Sequence, residues 1–229
     1  MGASPLQILI FGATRGTGLE TARSLLATDH KVTAFVRDTS DTTELDALGA
    51  KLICGDLFDT QQVTAAIETS QCKAIVLSLS GKRGDTRRAD LEGVKTIIDA
   101  ALAAGVTRIL MLTAIGAGDS RSAVAPKVIE ILGEVLAAKT EAEDYLVNSG
   151  ADFTILRPGG LTDNPASGSA IKTTDHSVMG VANRADVGSL TAECVNDSAT
   201  IGQIYHTVDP EITWQAPLQR GKDLPAGKH

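Results

Sequence analysis

Two kinds of apolar spacing alternate along this chain. Short apolar runs rich in β-branched residues, typical of buried strands, are separated by longer segments whose apolar residues recur every three or four positions, as in helices. The first pair is a strand at residues 6–11 and a helix that begins near Leu19. Further strands are predicted at residues 31–36, 51–54, 73–79, 107–113, 152–156 and 203–208, and further helices at residues 42–48, 60–69, 89–104, 126–148 and 184–195.

This alternation of strands and helices predicts the α/β class. Right-handed crossovers then give a single-domain, Rossmann-type, doubly wound sheet that is mainly parallel and has helices on both faces. We assign residues 1–209 to this domain. Residues 158–180, rich in glycine and small polar residues, are expected to form a loop that covers the crevice and the substrate. Residues 210–229, where proline, glycine and charge dominate, are expected to form a loosely ordered C-terminal tail.

A glycine cluster joins the first strand to its helix. The pattern Gly-x-x-x-Gly-x-Gly allows a sharp turn, a close ligand approach and close packing of helix on strand. Such a turn points backbone N–H groups and the positive end of a helix dipole at one place, which suits a phosphate. A glycine-rich turn without a ligand is the alternative, and the strand-turn-helix context disfavours it. The predicted pyrophosphate site is formed by Gly12, Thr14, Arg15, Gly16, Thr17 and Gly18.

The end of the second strand indicates which dinucleotide binds. Arg37 comes first after this strand, where an acidic residue accepts the ribose 2′-hydroxyl of NAD and an arginine accommodates the 2′-phosphate of NADP. Arg15 reaches the same phosphate from the other side of the crevice. The sequence therefore favours NADP(H) over NAD(H). The alternatives are that both arginines are ordinary surface residues, or that Asp38 binds the ribose.

Two further strand ends are expected to line the same crevice. Asp56 and Leu57 follow the third strand, at the place where such folds meet the adenine, although Asp56 also suits the cap of the next helix. Ser78, Leu79 and Ser80 lie at the end of the fourth strand and are expected near the ribose and the pyrophosphate.

Composition and charge disfavour several classes of protein. A formal net charge of −7, no basic block and only 3% aromatic residues argue against nucleic acid as a partner. No apolar run reaches the ~18–20 residues of a membrane helix, and the first residues lack a signal-peptide pattern. The three cysteines are far apart, and no His/Cys/Asp cluster has metal-ligand spacing. We expect a cytoplasmic monomer or homodimer that acts on a small molecule, without a metal.

With these residues placed, the chain resembles the atypical short-chain dehydrogenase/reductases, and within them the NAD(P)H-binding group that includes biliverdin reductase B (flavin reductase) and NmrA-like proteins. The resemblance extends from residue 6 to residue 208 and implies the fold and an NAD(P) cofactor. It is carried by Phe-Gly-Ala-Thr at 11–14, Val-Arg-Asp at 36–38, Cys-Gly-Asp-Leu at 54–57, Leu-Thr-Ala-Ile-Gly at 112–116, Ala-Lys at 138–139, Ser-Gly at 149–150 and Thr-Ile-Leu-Arg-Pro-Gly-Gly at 154–160.

The chain departs from this group at several positions. Arg15 stands where flavin reductase-like members usually have the middle glycine of the turn. Residues 40–41 are Ser-Asp where some members have a second basic residue. Pro158, Gly159 and Gly160 replace a histidine of the flavin reductase pocket, and we assign these three residues to the cofactor site beside the nicotinamide. A biliverdin substrate is therefore not implied.

The tyrosine-dependent reductases use Tyr-x-x-x-Lys on the helix after strand five, where the lysine holds the nicotinamide ribose and lowers the phenol pKa. By resemblance, Lys139 takes the place of that lysine and Thr113 that of the hydroxyl residue at the end of strand five; we assign both as catalytic and cofactor-binding. Val135 stands where the tyrosine would be, and Tyr145 lies on a different helical face. The structural alternatives are a surface Lys139 paired with Glu143, and a Thr113 hydroxyl bonded to backbone.

Without the tyrosine, two chemical routes remain. Either hydride passes directly to an acceptor that needs little protein acid, or Lys139 is itself the acid/base, as in the similar isoflavone-reductase-like enzymes. We therefore predict an NADPH-dependent oxidoreductase that passes hydride to a small conjugated acceptor, namely a flavin, quinone, tetrapyrrole or carbonyl. The alternative is a non-catalytic NADP(H)-sensing regulatory protein of the NmrA-like type. A sugar-nucleotide epimerase or dehydratase is disfavoured by the short segment after strand six, and His176 is a weaker candidate acid.

Overall fold

A computed structural model describes residues 5–81 and 84–212 of the 229-residue chain. Its strands are β1 (Gln7–Phe11), β2 (Lys31–Val36), β3 (Lys51–Cys54), β4 (Ala74–Leu77), β5 (Arg108–Leu112), β6 (Asp152–Pro158), β7 (Gly160–Thr162), β8 (Ile171–Thr173), β9 (Val181–Asn183) and β10 (Gln203–Val208). Its α-helices are α1 (Gly16–Ala27), α2 (Thr43–Ala47), α3 (Thr60–Ser70), α4 (Val94–Ala103), α5 (Pro126–Val147) and α6 (Arg184–Asn196).

Within the described residues, eight strands form one sheet in the order β3-β2-β1-β4-β5-β6-β10-β8. Neighbouring strands are parallel except β8, which is antiparallel to β10. Because β1 lies inside the sheet and the chain winds outward from it in both directions, the strand order reverses between β1 and β4. The carboxyl ends of these two strands therefore border the crevice where such folds bind ligands. The prediction of a Rossmann-type, doubly wound, mainly parallel sheet is confirmed.

The continuous apolar sequence of β1 reflects burial on both faces of the sheet. Ile8 and Ile10 belong to a core that also contains residues of α1, α2 and α6. Leu9 and Phe11 belong to the opposite core, which contains residues of α3, α4 and α5. Side chains alternate between the two faces of a strand, so one apolar run supplies both cores. This burial fixes the carboxyl end of β1, and with it the start of the glycine turn.

The two long helices that the sequence predicts, at 89–104 and 126–148, agree with the structure to different extents. Residues Pro126–Val147 form α5 almost as predicted, with proline in the first turn, where the missing N–H costs no hydrogen bond. The predicted helix at 89–104 is divided: Ala89–Gly93 forms a π-helical turn and only then does α4 begin. Gly93 explains the close packing there, since a Cβ on it would lie 2.1 Å from Leu57 Cδ1.

The segment at residues 158–180 is not a loop throughout, as the sequence predicted. Strand β6 continues to Pro158, β7 pairs with β9, and β8 adds an antiparallel edge strand to β10. The loop prediction is therefore wrong for the residues in these strands. Strands of three residues are too short to show the two-residue alternation of a strand in the sequence. Of the predicted C-terminal tail, residues 213–229 lie outside the described residues.

Candidate functional site

The glycine turn lies between β1 and α1, and its glycines are required by the packing around it. Gly12 has φ +90°, and a Cβ built on it would lie 2.2 Å from Ser78 O. A Cβ on Gly18 would lie 2.1 Å from Gly12 O. The turn, the residues after β4 and the first turn of α1 are thus in backbone contact. Gly16, with φ +57°, has more open surroundings, with no atom closer than 3.6 Å to the added Cβ.

The N-terminus of α1 fits an anion. Arg15 precedes the helix in extended conformation, and no side chain caps the first turn, which also lacks an acidic residue. Thr14 is half-buried, and Thr17 is buried in that turn. Uncapped first-turn N–H groups and the positive end of the helix dipole suit a phosphate. The residues present therefore fit the pyrophosphate of a dinucleotide.

Arg37 follows β2 at the same edge of the sheet. Strand β2 pairs with β1, and Phe35 lies opposite Phe11. Arg37 comes two residues after Phe35 and the glycine turn begins directly after Phe11, so both lie just beyond the same edge of the sheet. Arg15 and Arg37 are both exposed, and within the described residues neither forms an ion pair. Both guanidinium groups are available for an anionic ligand, and their role at the 2′-phosphate stays a prediction.

Asp56 is not the cap of α3. Asp59 accepts hydrogen bonds from the backbone N–H groups of Gln61 and Gln62, at 2.9 and 3.2 Å. The Asp56 carboxylate instead accepts from Phe58 N at 2.9 Å and is exposed at the carboxyl end of β3. The helix-cap alternative is therefore wrong, and Asp56 is left free to meet a ligand with its second oxygen. Leu57 is half-buried against the opposite core.

The residues after β4 meet both the glycine turn and α5. Ser78 N donates to Phe11 O at 2.9 Å, which holds the ends of β4 and β1 together. Leu79 O accepts a hydrogen bond from Lys139 Nζ at 3.3 Å. Ser80 is exposed. The structure thus brings together the sequence-predicted residues Gly12, Gly18, Ser78, Leu79 and Lys139.

Lys139 is 7% exposed and lies on the inner face of α5. Burial lowers its pKa, while the charges of Asp90 and Glu143 act in the opposite direction. The alternative of a surface lysine paired with Glu143 is wrong, because both residues are buried and Glu143 binds other partners. A buried amine of lowered pKa gives up its proton more readily than a surface lysine does.

A charged network lies behind Thr113. The Thr113 hydroxyl donates to Glu143 Oε1 at 2.5 Å, so the alternative of a hydroxyl bonded to backbone is wrong. Glu143 also accepts from Arg157, whose Nη2 lies 2.7 Å from Oε2. Arg157 Nη1 donates to Asp119 at 2.5 Å. Gly118 makes room for this guanidinium, since a Cβ there would lie 2.2 Å from Arg157 Nη2.

These contacts shift the pKa values of the network. Burial acts to raise the pKa of Asp119, but hydrogen bonds and charges from Arg157 and His176 lower it to about 2. Burial acts to lower the pKa of Arg157, but Glu143 and Asp119 reverse this and raise it. Asp119 and Arg157 therefore keep their charges at neutral pH, and Glu143 fixes the position of the Thr113 hydroxyl.

Two histidines, His176 and His206, lie at the Asp119 end of the network. His176 Nδ1 lies 2.8 Å from Asp119 Oδ2, and its Nε2 lies 3.0 Å from Ile204 O. Its ring stacks on that of His206, with centroids 4.8 Å apart. His206 is fully buried in β10, and burial lowers its pKa. Because both ring nitrogens of His176 lie within hydrogen-bond distance of protein oxygens, neither nitrogen is directed at a substrate.

Pro158, Gly159 and Gly160 contact protein backbone. Pro158 O accepts from Ile115 N at 2.9 Å, and Gly160 N donates to Gly180 O at the same distance. A Cβ on Gly159 would lie 2.1 Å from Gly180 O. The absence of a side chain at Gly159 is thus explained by packing against Gly180, and the contact of all three residues with a cofactor stays a prediction.

The sequence interpretation missed Asp119 and the network that it forms with Glu143 and Arg157. Two of these residues could have been singled out from the sequence. Arg157 lies in the stretch shared with the resembled group, and Glu143 stands one helical turn after Lys139. Their pairing depends on the distance between β6 and α5 across the fold, which no spacing along the chain encodes.

None of the helices at 5–81 and 84–212 is both long and apolar enough to cross a bilayer. Over the same residues, no group of three or more His, Cys, Asp and Glu side chains is arranged to hold a metal ion. The cytoplasmic location stays a prediction.

Comparison with known proteins points to one family. A sequence profile described as NAD(P)H-binding matches residues 12–198. The structure is similar to that of ChuY, described as an anaerobillin reductase from Escherichia coli O157:H7, with a TM-score of 0.82 and 31% identity over 93% of this chain and 100% of that one. The sequence is 30% identical to the uncharacterized sugar epimerase YhfK of Bacillus subtilis (strain 168) over 84% of this chain and 88% of YhfK.

A more distant structure shares the fold alone. A short-chain dehydrogenase/reductase from Veillonella parvula, solved in complex with NADP, superposes with a TM-score of 0.70 at 16% identity, over 89% of this chain and 94% of that one.

Proposed function

Since the chain belongs to the NAD(P)H-binding family of Rossmann-type oxidoreductases, we propose that it is an NADPH-dependent reductase that passes hydride to a small conjugated acceptor. The observation that carries this proposal is the buried Lys139, which donates to Leu79 O after β4 and feels the charge of Glu143, the residue that binds Thr113. The similarity to ChuY, which is described as a reductase, supports the same class of reaction. The acceptor is a flavin, quinone, tetrapyrrole or carbonyl.

NADPH is preferred because of two arginines. Arg15 and Arg37 are exposed at the crevice edge, and neither is neutralised by an ion pair within the described residues. Guanidinium groups bind a phosphate dianion through charge-assisted hydrogen bonds that the 2′-hydroxyl of NADH does not offer. The first turn of α1 binds the pyrophosphate, and Asp56 accepts from the adenine amine.

The reaction needs a hydride donor, a proton donor and an oriented acceptor. The bound nicotinamide supplies hydride. Lys139 holds the ribose side of the site and, with a pKa lowered by burial, gives its Nζ proton to the acceptor atom that gains charge. Thr113, fixed by Glu143, orients the acceptor beside it. Val135 stands where a tyrosine acid would be, so the proton comes from lysine or from water.

The proposal is tested by screening NADPH oxidation against flavins, quinones, tetrapyrroles and small carbonyls. We expect at least one class to be reduced with NADPH, and more slowly with NADH. If NADPH binds and every class fails, the reductase proposal is contradicted. The NADP(H)-sensing regulatory alternative then takes its place. Epimerisation of a sugar nucleotide without net NADPH consumption would instead favour the activity named for YhfK.

A further inference from the structure

Arg184, the first residue of α6, lies over the glycine turn. A Cβ built on Gly16 would lie 3.6 Å from both Cδ and Nε of Arg184. Helices α1 and α6 are held together closely, since a Cβ on Gly188 would lie 2.6 Å from Glu20 C. The position of the arginine is therefore set by helix packing. Its guanidinium borders the same uncapped first turn of α1 that fits a pyrophosphate.

The position of the Arg184 guanidinium is electrostatically unfavourable unless an anion binds beside it. The N-termini of α1 and α6 both carry positive dipole charge, and Arg15 adds a further cation at the turn. The counter-charge on Arg184 is Asp163, whose Oδ1 lies 2.7 Å from Nη1. The Asp163 side chain is 88% exposed, and an exposed ion pair contributes little stability.

Nearby acidic side chains have other partners. Asp186, in the first turn of α6, accepts from Ser167 N and Gly168 N, both at 2.9 Å, and from Asn183. Glu20 pairs with Arg23 at 3.4 Å. Among the described residues, the positive charge around Gly16 is thus left with one solvated carboxylate, Asp163. A cavity of about 250 Å³ lies at this place, lined by Gly16, Leu19, Glu20, Asp163, Asn164, Arg184 and Ala185.

We propose that Arg184 is a phosphate-binding residue of the dinucleotide site. Its guanidinium leaves Asp163 and binds the pyrophosphate above the first turn of α1, while Asp163 holds the arginine over the turn when no dinucleotide is bound. This inference rests on the dinucleotide site and is independent of which acceptor is reduced. Because NADH and NADPH share the pyrophosphate, Arg184 acts equally on both, whereas Arg37 acts on NADPH alone.

Calorimetric titration of NADPH and NADH into the wild type and three variants tests this role. We expect Arg184→Ala to weaken both dinucleotides about tenfold or more, as for the loss of a charge-assisted hydrogen bond. Asp163→Asn breaks the same ion pair but frees the arginine, so affinity is unchanged or higher. Lys127→Ala, which removes an exposed cation of α5 that pairs with Glu130, is the matched control and leaves both affinities unchanged.

Two results would overturn the inference. If Arg184→Ala and Asp163→Asn weaken binding equally, the pair is a structural clasp and not a ligand site. If Arg184→Ala leaves both affinities unchanged, the arginine does not contact the dinucleotide. Adenosine 2′-monophosphate, which has neither phosphate of the pyrophosphate, controls for damage to the site: its affinity stays the same in Arg184→Ala if the inference holds, and a parallel loss contradicts it. Absence of acceptor reduction would affect none of these titrations.

Discussion

At the scale of single residues, Glu143 connects the fold to the site. Its carboxylate accepts from the Thr113 hydroxyl and from two nitrogens of Arg157, and all three residues are buried. In Glu143→Gln the buried guanidinium of Arg157 keeps only Asp119, a largely exposed carboxylate, so its charge is poorly compensated in a medium of low dielectric. We therefore expect Glu143→Gln to lower the free energy of unfolding by about 3–5 kcal/mol, measured by urea denaturation.

The control for this prediction lies on the same helix. Glu130 pairs with Lys127 at 2.9 Å, and both side chains are largely exposed. Glu130→Gln should change the free energy of unfolding by less than about 1 kcal/mol. Equal losses in the two variants would contradict the claim that burial, and not pairing itself, makes Glu143 important.

Asp119 gives the network a pH dependence. Its pKa in the folded protein is about 2, below the ordinary value of 3.8. A carboxyl group with a lowered pKa stabilises the fold above its unfolded value, and this contribution is lost as the pH falls towards 2. We expect Asp119→Asn to flatten the decline of stability between pH 3.8 and about 2, measured by thermal unfolding at several pH values. An unchanged decline would show that Asp119 is not paired in solution.

Arg37 is predicted to select the cofactor. Arg37→Ala should weaken NADPH binding by about 1–3 kcal/mol, the contribution of a charge-assisted hydrogen bond. NADH, which lacks the 2′-phosphate, is the matched control ligand, and its affinity should not change. Fluorescence titration of both nucleotides measures the effect. Equal affinities of the wild type for NADPH and NADH would remove the basis of the assignment.

At the scale of elements, the glycine turn depends on backbone contact. Gly18→Ala would place a Cβ 2.1 Å from Gly12 O, which forces α1 away from β1. We expect a loss of about 1–3 kcal/mol in the free energy of unfolding, as for other overpacked sites. Gly133→Ala on α5 is the matched control: its nearest atom would be 3.9 Å away, and alanine should stabilise that helix by about 0.5–1 kcal/mol. Destabilisation of similar size in both variants would contradict the backbone-contact explanation.

The sequence predicted the elements whose apolar residues repeat at a regular spacing, and it missed the three-residue strands, which show no such repeat. The strand at 203–208 and the helix at 126–148 were correct to within one residue, because a buried strand and a long amphipathic helix leave repeated apolar positions. Strands β7, β8 and β9 have three residues each and were not predicted. Their pairing is set by contact with β10 and with each other, and not by their own sequence.

At the scale of the whole molecule, the strand order alone determines where the crevice lies, because the order reverses between β1 and β4. The glycine turn, the residues after β4 and Lys139 meet because β1 and β4 are neighbours and α5 packs on the same core as α3 and α4. The charged network could not be predicted in this way. Asp119 and Arg157 are far apart in sequence, and their contact depends on how a 3₁₀ turn, Gly118–Ala123, lies against β6.

The most direct test of the proposed reductase is single-turnover consumption of NADPH. The wild type and Lys139→Met are each saturated with NADPH and then mixed with the acceptor found in the screen. We predict that the wild type consumes NADPH, and that Lys139→Met retains bound NADPH but consumes it about a hundredfold more slowly, as expected for loss of a general acid. Equal rates in the two proteins, or a wild type that binds NADPH and never oxidises it, would contradict the account.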